Sequence, residues 1–271
     1  MTMNNPIYCS TGAFVGRAST WDHTLIPRFG KEIESDGFEF MMEKVYYDKR
    51  LQVVGDLEKS ALSFPVIHLD KEIGFFLGGD AEEREQGLQL FSLNCQMGWY
   101  LGCDKAVLHL WSGTRSDGAL DRNLSVLEEL YKIAEGYRLR LLIENVPCAF
   151  HDPITDLDRV SALKPDAKFV YDVRFGAFHR QNDAIVTSGA LADGRIDHIH
   201  ISDYVGPPHD FKSLRPIPHL GKGIIGLETL LPRIAEQYHG SLTLESPEIL
   251  PDRVDPEPIN RDLAFIRRYF L

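Results

Sequence analysis

The chain has 271 residues, with 40 acidic and 29 basic side chains and a net charge of −11, a balance that opposes a phosphate backbone and excludes a general polyanion binder. No run reaches the ~18 apolar residues of a membrane span, and MTMNNPIYCS has no basic flank before an apolar stretch, so neither membrane insertion nor secretion is expected. The four cysteines, Cys9, Cys95, Cys103 and Cys148, form no C-x-x-C pair and read as reduced thiols of a cytoplasmic protein.

Eight short apolar runs follow one another along the chain: PIYCSTG (6–12), GFEFMM (37–42), FPVIHLD (64–70), KAVLHLW (105–111), LRLLIENV (139–146), KFVYDVRF (168–175), IDHIHISD (196–203) and SLTLESP (241–247). Between them lie stretches such as 80–102 and 120–137, whose apolar residues recur every three or four positions, the mark of amphipathic helices. Asp80 and Asp121 stand where N-caps belong, and Trp99 falls mid-helix, where core packing is expected. Strands alternating with helices require a parallel sheet with right-handed crossovers. Eight repeats in one chain of this length predict a single-domain (β/α)8 TIM barrel over 1–271, with a long loop after the seventh strand, about 205–226. No G-x-G-x-x-G follows the first strand and no G-x-x-x-x-G-K-[ST] occurs, so no nucleotide cofactor is expected.

Barrel enzymes build their sites at the carboxyl ends of the strands. Here His68, His109, Glu144, Asp172, His200 and Glu245 each follow an apolar run, on six consecutive strands. Convergent buried carboxylates cost several kcal/mol per ion unless a cation lies between them. Arg140 and Arg174, on the same strands, would serve in a purely structural ion-pair network, such as a non-catalytic sugar-binding barrel would have. An imidazole beside three carboxylates fits one divalent metal ion better, with oxygen ligands favouring Mn, Mg or Co and the histidine admitting Zn or Fe. In DHIHISDY (197–204) the two histidines share one strand face and the isoleucines the other.

The motifs IEN (143–145), YD (171–172), HIHISD (198–203), HLGKGIIGLETLL (219–231) and LTLES (242–246) occur in the order found in the xylose isomerase-like TIM barrels. This group includes sugar phosphate isomerases and epimerases, inosose dehydratases and apurinic (AP) endonucleases. The resemblance implies a metal site of Glu144, Asp172, His200 and Glu245, with Glu144 and Glu245 also exchanging protons with a small carbohydrate through a metal-stabilised enediolate. It implies an isomerase or epimerase, with a dehydratase on the same site or a zinc phosphodiesterase acting on abasic DNA as alternatives, and a possible homo-oligomer. His68 and His109 match positions that bind a second zinc in the endonucleases and contact substrate in many isomerases. A third zinc would need a histidine where Phe175 stands and Asp-x-His where Ile217-Pro218-His219 stands, so nucleic acid is not the expected partner. Several epimerases also have histidine at the Phe175 position, and Arg174 and His179 are candidates to replace it.

Metal-site depth separates the pair on the seventh strand: His200 is expected at the metal, His198 one layer below in packing or orienting a ligand, and Asp203 against substrate or the His200 N–H. In the long loop His209, Lys212, Arg215, His219 and Lys222 form a cationic cluster in an acidic chain. Arg215, His219 and Lys222 are expected substrate contacts, with Arg215, Lys212 or Lys222 suited to a phosphate or carboxylate. Among the aromatics near the mouth, Phe14, Trp21 and Trp111, only Trp111 is expected to stack on a sugar.

Overall fold

In the computed structural model, which describes residues 5–270 apart from 246 and 248–254, eight parallel strands close into a barrel in chain order. They are β1 (Ile7–Ser10), β2 (Phe38–Met41), β3 (Val66–His68), β4 (Lys105–Leu108), β5 (Arg140–Glu144), β6 (Lys168–Asp172), β7 (Ile196–Ile201) and β8 (Ser241–Leu244). Ile7 opposite Leu242 joins the last strand to the first, which gives the (β/α)8 TIM barrel that the alternation predicts. The helices are α1 (Leu25–Phe29), α2 (Arg50–Glu58), α3 (Glu72–Leu77), α4 (Ala81–Tyr100), α5 (Gly113–Asp117), α6 (Leu120–Leu124), α7 (Leu127–Gly136), α8 (Pro153–Leu163), α9 (Val173–Phe178), α10 (Asn182–Thr187), α11 (Leu227–Ala235) and α12 (Pro256–Arg267). Among the described residues no helix is long and apolar enough to cross a membrane.

Outward side chains such as Ile67, Leu108, Ile143, Phe169, Ile199 and Leu242 join the helices in one continuous core. Inward ones alternate with them, and Tyr8, Val66, Val107, Leu142 and Val170 form a separate apolar cluster. Two residues further along three of these strands stand His68, Glu144 and Asp172, so strand pleating alone carries the apolar layer into a polar one. The β6–β7 ladder slips between Phe169 and Val170, which sets Val170 opposite His198 and Asp172 opposite His200.

Asp80 caps α4 through a full capping box with Glu83, as expected. Asp121 does not cap: it lies in the first turn of α6, whose N-cap is Ala119. Trp99 is half exposed and lies tilted against Tyr100 rather than entering the core. The buried stripe of α4 runs through Gly87, Phe91, Asn94 and Gly98, and a Cβ on Gly98 would stand 2.7 Å from Ile67. Close backbone approach, not bulk, seats this helix, so its largest apolar residue turns outward. All four cysteines are buried free thiols.

Candidate metal centre

The carboxyl-end layer brings together His68, Glu144, Asp172, His200 and Glu245, with His109 just beyond β4. His200 Nδ1 is 2.9 Å from Glu144 Oε1 and 3.7 Å from Glu245 Oε1. Glu144 Oε2 has His109 Nε2 at 2.6 Å and His68 Nε2 at 3.4 Å, and the His68 and His109 rings meet edge to face with centroids 4.9 Å apart. Asp172 ends β6 and caps α9: its Oδ1 accepts the Arg174 and Phe175 N–H groups at 2.6 and 2.9 Å. Asn145 ties β5 to β6, accepting from the Asp172 N–H and donating to its carbonyl. Two strands and a helix start thus fix the Asp172 carboxylate before any ligand arrives.

Sequence reasoning missed Glu39. It sits between Phe38 and Phe40 in the middle of β2, fully buried, and its Oε2 lies 3.0 Å from His198 Nε2 and 3.1 Å from His200 Nε2. With Nε2–H donated to Glu39, Nδ1 is the nitrogen that faces Glu144 and Glu245, and its proton is the one a cation would displace, with the carboxylate at Nε2 setting the tautomer. The signal was available: a carboxylate between two phenylalanines, with inward parity. His198 lies one layer down, as expected, and reaches Ser241 Oγ at 2.7 Å as well as Glu39.

The electrostatics of this layer are those of a site short of positive charge. Arg140 lies at the opposite end of the barrel with Asp197 and neutralises none of it. Arg174 does enter: its guanidinium is 3.2 Å from Glu245 Oε2 and 3.7 Å from Asp172 Oδ2, and also donates to Ser202 Oγ and the Leu214 carbonyl. One guanidinium faces four carboxylates, Glu39, Glu144, Asp172 and Glu245. The deficit appears as bound protons. Burial opposes a charged imidazole at His200, but Glu39 and Glu144 outweigh it and hold the ring well above its ordinary range. At His68 burial is likewise outweighed, chiefly by Glu144, and the value rises to about 9. Burial also pushes the Asp172 carboxyl up, more than Arg174 draws it down.

Glu144 Oε2, Asp172 Oδ2 and Glu39 Oε1 are buried and accept no aligned hydrogen bond, a costly condition unless a cation completes it. Ligand atoms of Glu144, Asp172 and His200 lie within 4.8 Å of one another, as do those of His68, His200 and Glu245. Two oxygen-bearing groups sharing one imidazole fit a divalent cation.

The other residues singled out in the sequence have these surroundings. Trp111 is fully buried and donates its indole N–H to the Val146 carbonyl, so it packs beneath the mouth instead of facing a ligand. His219 Nδ1 pairs with Asp262 Oδ2 at 2.7 Å on α12. Asp203 accepts the Gly221 and Gly223 N–H groups at 3.0 and 2.9 Å and so clamps the glycine-rich turn of the long loop; the His200 N–H goes to Glu39 instead. His179 Nε2 accepts the Cys148 N–H, whereas Arg174 is the neighbour of Phe175 that reaches the carboxylates. Phe14 is buried against Phe38, and Trp21 is only partly buried at the edge of the core. Arg215 and Lys222 are exposed on the long loop.

A family model described as xylose isomerase-like TIM barrel matches residues 27–269. No curated protein matches the chain. Solved structures share the fold. The apo 3-keto-D-glucoside 4-epimerase of E. coli superposes with a TM-score of 0.67 at 19% identity, over 97% of this chain and 99% of that one. A D-tagatose 3-epimerase-like protein gives 0.70 at 18% identity over 97% and 96%. A D-allulose 3-epimerase of Methylomonas sp. gives 0.74 at 14% identity over 98% of each chain.

Proposed function

The chain belongs to the xylose isomerase-like TIM barrel family, and from that premise we propose that it is a divalent-metal-dependent isomerase or epimerase of a small carbohydrate. One observation carries this reading: Asp172 Oδ2 is buried without a hydrogen bond, and it lies with Glu144 and His200 in one group of ligand atoms within 4.8 Å of one another. The cation would be held by Glu144, Asp172, His200 and Glu245, with Mn, Mg, Co or Zn compatible with those donors. When bound, it would supply Lewis-acid stabilisation to the oxygen that turns negative as a neighbouring carbon loses its proton.

The side chains do the rest. Glu144 and Glu245 are the proton carriers, one taking the proton beside the carbonyl and the other returning one. Glu39 holds the His200 ring in place through Nε2. His109 and His68 bracket Glu144 and are suited to hydrogen-bonding sugar hydroxyls. Arg174 holds Glu245 oriented from the side of Ser202 and Leu214. On the rim, Arg215 and Lys222 are free to meet an anionic group of a substrate. Phe175, where a third zinc would need histidine, and the net charge of −11 support a sugar over abasic DNA.

The test is incubation with ketohexoses such as D-tagatose and D-allulose in deuterated water, with each metal supplied in turn. An epimer or isomer carrying deuterium next to the carbonyl is expected. Loss of water in place of epimerisation would move the assignment to a dehydratase, and wild-type protein that retains no stoichiometric divalent ion at the barrel centre would overturn the metalloenzyme reading.

A further inference from the structure

Asp117 ends α5, and His151 and Asp156 flank the start of α8, and none of the three belongs to the barrel-centre group. Asp117 and Asp156 are each no more than 1% exposed. Asp117 Oδ2 accepts the Ala149 and Phe150 N–H groups, and Asp156 Oδ2 accepts the Cys148 thiol at 3.4 Å. The second oxygen of each, Asp117 Oδ1 and Asp156 Oδ1, is buried and accepts no hydrogen bond. His151 Nδ1 stands 3.4 Å from Asp156 Oδ1, and the ligand atoms of all three residues lie within 4.8 Å of one another.

Structural ion pairing accounts for only part of this arrangement. The nearest guanidinium nitrogen, Arg159 Nη1, is 3.9 Å from Asp156 Oδ1, and the other arm of that arginine is bonded to Asp121. Two buried carboxylates with an unmet oxygen each face one partly exposed imidazole, and the long contacts of His151 and Arg159 to Asp156 offset their burial only in part. Donors about 2.0–2.1 Å from a tetrahedral ion stand about 3.3 Å apart, close to the His151–Asp156 spacing.

We propose that Asp117, His151 and Asp156 form a second divalent-cation site, suited to zinc, which pins the segment between β5 and α8 to the end of α5. The imidazole favours zinc over magnesium, and Cys148 puts a soft donor in contact with Asp156.

The test uses full-length protein stripped by chelator, reloaded with zinc chloride alone and passed over a desalting column before the metal is counted. His151 is partly exposed, so His151→Ala is expected to fold, and Asp156→Asn preserves shape. Each is expected to carry one zinc fewer per chain than the wild type, and zinc is expected to raise the melting temperature less in the variants. Because the readout is a difference of one, it holds whatever the barrel centre binds. Equal zinc counts in wild type and His151→Ala would overturn the proposal. An equal loss in the exposed-surface control His239→Ala would do so too, by reducing the binding to adventitious histidine contacts.

Discussion

Two polar layers lie inside the same barrel, and they differ in satisfaction rather than in burial. In the lower one, Lys105 Nζ donates to Ser241 Oγ at 2.8 Å and to the Asp197 carbonyl at 3.1 Å, and His198 spends both ring nitrogens on Ser241, Glu39 and Thr243. In the upper one, Asp172 keeps an oxygen without a hydrogen bond, and His200 and His68 carry protons that burial alone would remove. A buried polar group that has found its partners is structure. A buried carboxylate still lacking one, beside other ligand atoms, is where a cation would be most stabilising.

Glu39 belongs to both layers, and the largest effects should separate them around it. His200→Ala is expected to abolish stoichiometric metal at the barrel centre and all turnover. His198→Ala should keep the metal and cost about 2–4 kcal/mol of stability, because it takes one buried partner each from Glu39, Ser241 and Thr243. Metal counting and chemical denaturation on the same pair of variants decide this, and the contrast fails if both lose metal alike.

Glu39→Gln keeps the shape of the side chain and weakens its hold on the His200 N–H. Loss of such an outer partner typically lowers metal affinity by about 10–100-fold, which competition against a chromogenic chelator would measure. An unchanged affinity would reduce Glu39 to a partner of His198.

A pH series sharpens the comparison next. His68 is raised to about 9, so its contribution to the metal-free protein is fully present below its unfolded value near 6.5 and is lost as pH rises through about 9. Metal-free protein should therefore lose stability across that window. The metal-loaded protein should hold it, since the ion binds better as protons leave. Denaturation midpoints with and without chelator test the two slopes.

The smallest effect is expected farthest from both layers. Arg215→Ala should raise KM severalfold for a phosphorylated or carboxylated sugar, leave kcat unchanged and leave KM for a neutral sugar alone. Unchanged KM for the charged substrate would remove Arg215 from the site.

Much of the barrel centre was legible because a strand end announces itself: an apolar run stops and an ionisable residue follows, as at Glu144, Asp172 and His200. Glu39 escaped because it interrupts its run instead of closing it, between Phe38 and Phe40. Trp99 misled because helix α4 packs through Gly87 and Gly98, residues with no hydrophobic signature. His219, Trp111 and Asp203 had suitable chemistry in suitable loops, but their partners, Asp262, Val146 and the 221–223 turn, are choices of tertiary structure that spacing does not encode.

The slip in the β6–β7 ladder acts as a phase shifter. If the pairing of Phe169 with Ile196 ran on unbroken, Val170 would face Asp197 and Asp172 would face Ile199, turning isoleucine toward the barrel axis and both histidines toward the helices. The surplus residue at the break is Asp197, which is left free to hold Arg140 and Lys105 at the far rim. One inserted position thus chooses which of two interleaved sets of side chains, aliphatic or imidazole, lines the chamber. Were Asp197 drawn back into the ladder, the same letters would enclose an oily plug in place of the histidine and carboxylate layer.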